Sequence, residues 1–327
     1  VRLLNRERSI LAFNRRVLAQ ARRSDVPLLE RLRYVCIVAS NMDEFFEVRF
    51  AAALEAAVLP GSSTTRGELA EVAGEAHQLT DEQYAIFNDE LMPALAELGI
   101  VILNHADRNA AQRKWVASFY HREVEPLLAP LGLDPAHPFP QVANKSLNFI
   151  ARLGGKDAFG REGNMALVRA PRSLPRVIRL PAELSDGTQD FVLLSGVLQE
   201  FVEELFPGMQ VKGSYQFRVT RNSELSLDED EAENLAHAMK EELQERGFAR
   251  AVRLEVADAL PRPTLKILMA NFAVGEDDIY RCQGPVNLNR VMAIYDMIDR
   301  PDLKFPKFTP RIDARILLAE DNPVNQD

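Results

Sequence analysis

Cysteine is nearly missing: two in 327 residues, Cys36 and Cys282, far apart along the chain. A disulfide scaffold and a paired-thiol metal motif are therefore excluded, and a reducing, cytoplasmic location is expected. Glycine is sparse, at 16, which excludes collagen-like and glycine-rich low-complexity chains. No stretch approaches the ~18 uninterrupted apolar residues of a transmembrane helix. The opening Val1–Arg6 carries charge with no apolar segment behind it, so it is not a signal peptide. It also lacks Met, so the sequence is expected to begin inside a longer chain.

Signatures of self-contained catalysis are lacking too. There is no G-x-x-x-x-G-K-[ST] phosphate loop and no G-x-S-x-G. The five histidines, His77, His105, His121, His137 and His237, are scattered, and none forms an H-E-x-x-H pair. Each reads as a structural or solvent-facing residue. No catalytic residue and no metal ligand is assigned.

What is present is ordinary for a folded chain: 46% hydrophobic and 27% charged residues, in a length that suits two domains. The net charge of −9 argues against a general nucleic-acid binder. Charge is unevenly spread. Residues 1–50 hold ten Arg against six acids, whereas 224–246 hold nine acids against Lys240 and Arg246. Solvated helix faces account for both runs, and the basic run could also face an anion.

Residues 5–98 read as a bundle of four helices. Ile10, Phe13, Val17 and Ala21 form one stripe, and Leu28, Leu32, Val35 and Ala39 a second, after the turn at Asp25 and Pro27. A third helix carries Met42, Phe45, Phe46, Phe50 and Ala53. Leu59–Ser63 is a loop. The fourth helix presents Leu69, Val72, Ala76, Leu79, Phe87 and Leu91; Pro93 is expected to kink or end it, and Gly99 to close the unit. Beyond residue 104 a helix with Trp115 and Phe119 and a proline-rich stretch lead into period-two segments: 147–153, 165–168, 177–178, 191–194, 215–219 and 252–256. Helices are expected at 195–206, 228–246, from Pro261 or Pro263 to Phe272, and at 287–297. The fold class is multidomain α and α+β: a helical N-terminal domain (1–104), an α+β sandwich head domain (105–311), and a tail (312–327) that fits neither.

The most distinctive string is Ser40-Asn41-Met42-Asp43-Glu44-Phe45-Phe46. The Asn41-x-x-Glu44 spacing suits a capping pair that would start the third helix. A second use competes for the same amide. Asn41 offers one carbonyl acceptor and two N–H donors, a set that can pair with the edge of adenine.

Several strings in order resemble the polyphosphate kinase family, the type that works through a phosphohistidine. They are Asn5–Leu18, Pro27–Tyr34 and Ser40–Phe46, followed by Asp134–Pro140, Phe217–Asn222 and Asp302–Phe305. Ile10 departs from the pattern, since the family usually has Trp there. The resemblance spans residues 3 to about 311. It implies the first two parts of a four-part chain, a helical N-terminal domain and a head domain. The phosphohistidine, the metal-binding arginines and most of the ATP site belong to two later domains of phospholipase D type. It further implies ATP and inorganic polyphosphate as substrates of the parent enzyme, with Mg²⁺. Asn41 is implied as an ATP-binding residue on the adenine side, and the head domain as a contributor to a homo-oligomer, a dimer. A chain ending where this one does is expected to be inactive alone.

The tail, Ala314–Gln326, looks like the first strand of a response-regulator receiver domain, with Glu320-Asp321 as its acidic pair. One strand cannot supply a Mg²⁺ site. An alternative reading follows, in which the two domains form a non-catalytic dimerisation or nucleotide-sensing module joined to a receiver.

Overall fold

The computed structural model describes residues 5–58, 65–134, 136–155, 164–222 and 250–308. The loop at 59–63, the acidic helix expected at 228–246, His237 and the tail at 312–327 lie outside them.

Helix α1 (Arg6–Ala19) is capped by Asn5, whose side chain accepts from the Arg8 amide. Helix α2 (Leu28–Glu44) starts straight after Pro27 and runs into a π-helical segment, Phe45–Phe50, and then α3 (Ala51–Ala56). The separate third helix expected to start at Asn41 does not exist. No glycine or proline interrupts residues 28–56, so nothing breaks the hydrogen-bond ladder there. Asn41 lies in the last turn of α2, its backbone oxygen already taken by the Phe45 amide.

Helix α4 (Arg66–Ala85) begins with a complete capping box between Thr65 and Glu68. It does not end at Pro93. A second π-helical segment, Ile86–Leu91, carries the chain to α5 (Met92–Glu97), where Pro93 sits in the first turn and needs no donor. Gly99 then takes φ +75°, the left-handed turn that closes the helix.

The strands follow the period-two segments closely: β3 (Asn148–Gly154), β4 (Met165–Arg169), β5 (Val177–Arg179), β6 (Gln189–Leu193), β7 (Gln210–Arg221) and β8 (Ala251–Ala257). Three further strands were not legible: β1 (Ile100–Ile102), β2 (Leu131–Gly132) and β9 (Ile279–Cys282). Among the described residues they form a three-stranded sheet, β1-β6-β5, and a six-stranded sheet, β2-β4-β3-β7-β8-β9. The larger sheet is antiparallel except for the β8–β9 pair, joined across α8 (Arg262–Phe272). Helices α6 (Ala110–Phe119), α7 (Leu194–Glu200) and α9 (Met292–Met297) complete the layers.

Alternation along β3 shows how the large sheet is used. Phe149, Ala151 and Leu153 join an apolar core shared with α1, α2 and α4, while Ile150 faces a second core closed by Leu265, Leu268 and Phe272 of α8. The helical region, the small sheet and one face of the large sheet therefore share a core, and α8 closes a second core on the other face.

Candidate functional site

The end of α2 is held from two sides. On one side, Nδ2 of Asn41 donates to Oδ1 of Asn14 in α1, at 2.8 Å, and Nδ2 of Asn14 donates to the carbonyl of Ile10, at 3.1 Å. Asn14 is buried and Asn41 half-buried. Of the stripe expected on α1, Ala21 is buried and Ile10 and Val17 pack at the core edge, but Phe13 does not face the core. Leu11, Asn14 and Leu18 face the core, and Phe13 stands 52% exposed. A polar residue occupies that face because its amide is satisfied there at both ends. The signal was present as the Leu11–Asn14–Leu18 spacing. With Asn14 fixing one N–H, Asn41 keeps its carbonyl oxygen and a second N–H for another partner.

On the other side, two residues along, Asp43 points at the large sheet. Its carboxylate accepts from both terminal nitrogens of Arg218 in β7, at 2.7 and 2.8 Å, and from Arg253 in β8. Arg218 lies directly opposite Glu255 in the β7–β8 register and pairs with it. Arg253 also donates to Thr220 and lies over the Phe46 ring, 4.6 Å from its centroid. Two acids and two guanidiniums thus balance in a water-excluded layer. Burial pushes the Asp43 carboxyl up, but the two arginines outweigh it and hold it below the ordinary value. One turn on, Glu47 accepts from Asn144 at 2.7 Å and pairs with Lys145.

Strings that are distant in sequence therefore meet in pairs. Ser40–Phe46 meets Phe217–Asn222 through Asp43 and Arg218. Pro27–Tyr34 meets Asp302–Phe305 through Glu30, which is buried and accepts from the Phe305 amide at 3.0 Å and from the Tyr295 hydroxyl at 2.8 Å. The sequence marks Asn41, and Asn14 only through the Leu11–Leu18 spacing, but not the pairing of Arg218, Arg253 and Glu255. Charged residues on alternating strands read as solvent-facing until the helix over them is known.

The four described histidines each have a partner. His77 stacks on Tyr280, with ring centroids 4.0 Å apart, and reaches the Asp277 carbonyl. His105 pairs with Glu200, His121 with Glu125, and His137 with Asp134. Cys36 and Cys282 are buried and unpaired, and burial pushes both thiols up to about 12. Among the described residues no group of three or more His, Cys, Asp or Glu could hold a metal ion, and no helix is long and apolar enough to cross a membrane.

Comparison with known proteins gives this geometry a family. Residues 3–103 match the family described as polyphosphate kinase N-terminal domain, and 111–294 the polyphosphate kinase middle domain. The polyphosphate kinase of Xylella fastidiosa (strain 9a5c) is 54% identical over 316 residues, 94% of this chain and 45% of that protein. That of Neisseria gonorrhoeae (strain ATCC 700825 / FA 1090) is 48% identical over 330 residues, 99% of this chain and 48% of that protein. The crystal structure of polyphosphate kinase from Porphyromonas gingivalis shares the fold, with a TM-score of 0.76 at 24% identity over 98% of this chain and 44% of that one. The chain spans about half the length of the curated relatives it matches. On two domain matches in chain order, the chain belongs to the polyphosphate kinase family.

Proposed function

We propose that the chain is the adenine-side and head portion of an ATP:polyphosphate phosphotransferase, with its division near residues 104–105, and that the later domains implied by the family resemblance carry the phosphoryl chemistry. The observation that supports this reading most is the Asn14–Asn41 pair. One N–H of Asn41 is spent on Asn14. What remains is a carbonyl oxygen beside one N–H, the acceptor–donor set that an adenine edge complements with its amino group and ring nitrogen. The π-helical segment that follows and the Asp43 clamp hold this amide on a rigid element, which favours a precise contact.

The described side chains offer no carboxylate cluster for Mg²⁺, so the metal that accompanies ATP is not assigned to them. A homo-oligomer formed through the head region is part of the same proposal, and sedimentation of the chain tests it.

The deciding experiment measures nucleotide affinity in a polyphosphate kinase chain that carries this stretch with its later domains. Asn41→Ala is expected to weaken ATP binding about tenfold, the value of one good amide contact to a base, while the affinity for tripolyphosphate, which has no base, holds. Equal ATP affinity in the two proteins would remove the adenine role. The 327-residue chain, mixed with ATP and Mg²⁺, is expected to make no polyphosphate.

A further inference from the structure

A pocket on the head region, distinct from the Asn41 amide, carries uncompensated positive charge. It is a small, open-mouthed cavity of about 30 Å³ where the starts of β5 and α7 meet the segment 285–291. Arg176, Arg290 and Lys145 line it with Ser195 and Asn287, and no carboxylate does. Lys145 is matched by Glu47. Arg176 is not matched: its Nη1 is buried with no hydrogen-bond partner. Arg290 and Arg172, its cationic neighbours, are exposed and have no carboxylate partner among the described residues. Both depress the Arg176 guanidinium, after burial itself. The wide groove nearby behaves differently, because there His105 and Arg108 both converge on Glu200.

Two further features point the same way. The Asn287 side-chain oxygen is also buried without a partner. Its carboxamide can keep that oxygen for a protonated ligand atom or turn to present its amino group. The backbone is strained here as well. Lys145 at φ 55° and Asn287 at φ 73° are two of the three non-glycine residues at positive φ among the described residues. Such conformations are disfavoured for residues with a side chain and collect at ligand sites. A half-buried guanidinium with one buried, unpartnered nitrogen and no counter-charge, beside the exposed Arg290 and a strained rim, is best completed by an anion.

We propose that this pocket binds a phosphoryl oxyanion, with Arg176 and Arg290 as the guanidinium clamp and Ser195 and Lys145 at its edge. Planar guanidiniums suit phosphoryl oxygens because they donate two parallel hydrogen bonds. The proposal rests on the polyphosphate reading only for the source of that group, either an inorganic phosphate chain or the phosphates of a nucleotide.

The test is calorimetric titration of the 327-residue chain with orthophosphate, tripolyphosphate and ATP, on the wild type, Arg176→Gln and Arg290→Gln. Tripolyphosphate is expected to bind the wild type, and each variant to lose about tenfold or more in affinity. Melting curves separate this from misfolding. Arg176→Gln removes an unmatched, half-buried charge, so it should melt at or above the wild type in anion-free buffer. It should also lose the upward shift that tripolyphosphate at ~100 times its Kd gives the wild type. No binding by the wild type, or equal binding by Arg176→Gln, overturns the proposal. Arg176-dependent binding that is tighter for ATP than for tripolyphosphate assigns the phosphoryl group to a nucleotide; the reverse order assigns it to an inorganic chain. Loss of the Asn41 effect on ATP with Arg176-dependent tripolyphosphate binding intact would refute the adenine reading and leave this site standing.

Discussion

Asp43 and Arg218 sit 175 positions apart in sequence and form a two-pronged ion pair, with nitrogen–oxygen distances of 2.7 and 2.8 Å. Both are buried, and the pair joins the last turn of α2 to the middle of β7. Asp43→Asn keeps the shape and removes the charge that Arg218 and Arg253 share. Breaking one member of a buried ionic group typically costs about 3–5 kcal/mol. Denaturant unfolding of this variant is expected to show a loss of that size, and a loss below about 1 kcal/mol would mean that water reaches the pair.

The same carboxyl sets an acid limit. Its folded pKa lies below the ordinary 3.8, because the two arginines outweigh burial. A group depressed in the folded state contributes stability in full above its unfolded pKa and loses it as pH falls through the folded value. The wild type is therefore expected to lose stability steeply below about pH 4. In Asp43→Asn that part of the slope should be missing, which urea titrations at pH 3–6 would show.

Asn14 holds Asn41 without meeting solvent itself. Asn14→Ala removes the 2.8 Å bond to Asn41 and the 3.1 Å bond to Ile10. A stability loss of about 1–2 kcal/mol is expected. Under the adenine proposal, ATP affinity should fall as well, although Asn14 would not touch the base. Nucleotide titration of Asn14→Ala beside Asn41→Ala checks this, and the double variant should lose little more than the worse single one.

Gly99 closes the first helical unit at φ +75°, and its carbonyl accepts from Gln189 at the start of β6, at 2.6 Å. A methyl group there would meet only ordinary contacts, the nearest being Thr188 Cγ2 at 3.7 Å. Any penalty of Gly99→Ala is therefore conformational, about 1 kcal/mol. A lowered melting temperature with an unchanged denaturant slope is the expected result.

Much of the architecture follows from local pattern. Helical spacing marks α1, α2 and α4, and period two marks β3, β7 and β8, because a buried face imposes its own repeat on the residues that line it. Gly99 and Thr65–Glu68 mark ends because backbone geometry and capping act over three or four residues. Asn41 stands out for the same local reason, but spacing alone assigns it the wrong place. Asn-x-x-Glu reads as a cap only where a helix begins, and whether α2 stops at residue 40 or runs to 56 is decided by the packing of Phe45, Phe46 and Phe50. The strands β1, β2 and β9 are two to four residues long, too short for any period to register, and exist because a neighbouring strand completes them. The same holds for charge. Local composition cannot say that Arg218 is neutralised by Asp43 and Glu255 while Arg176 has no acid beside it. Coulombic interaction depends on distance and burial, and only the tertiary structure brings residues 43, 218, 253 and 255 into one layer and leaves Arg176 and Arg290 facing a pocket lined by no carboxylate.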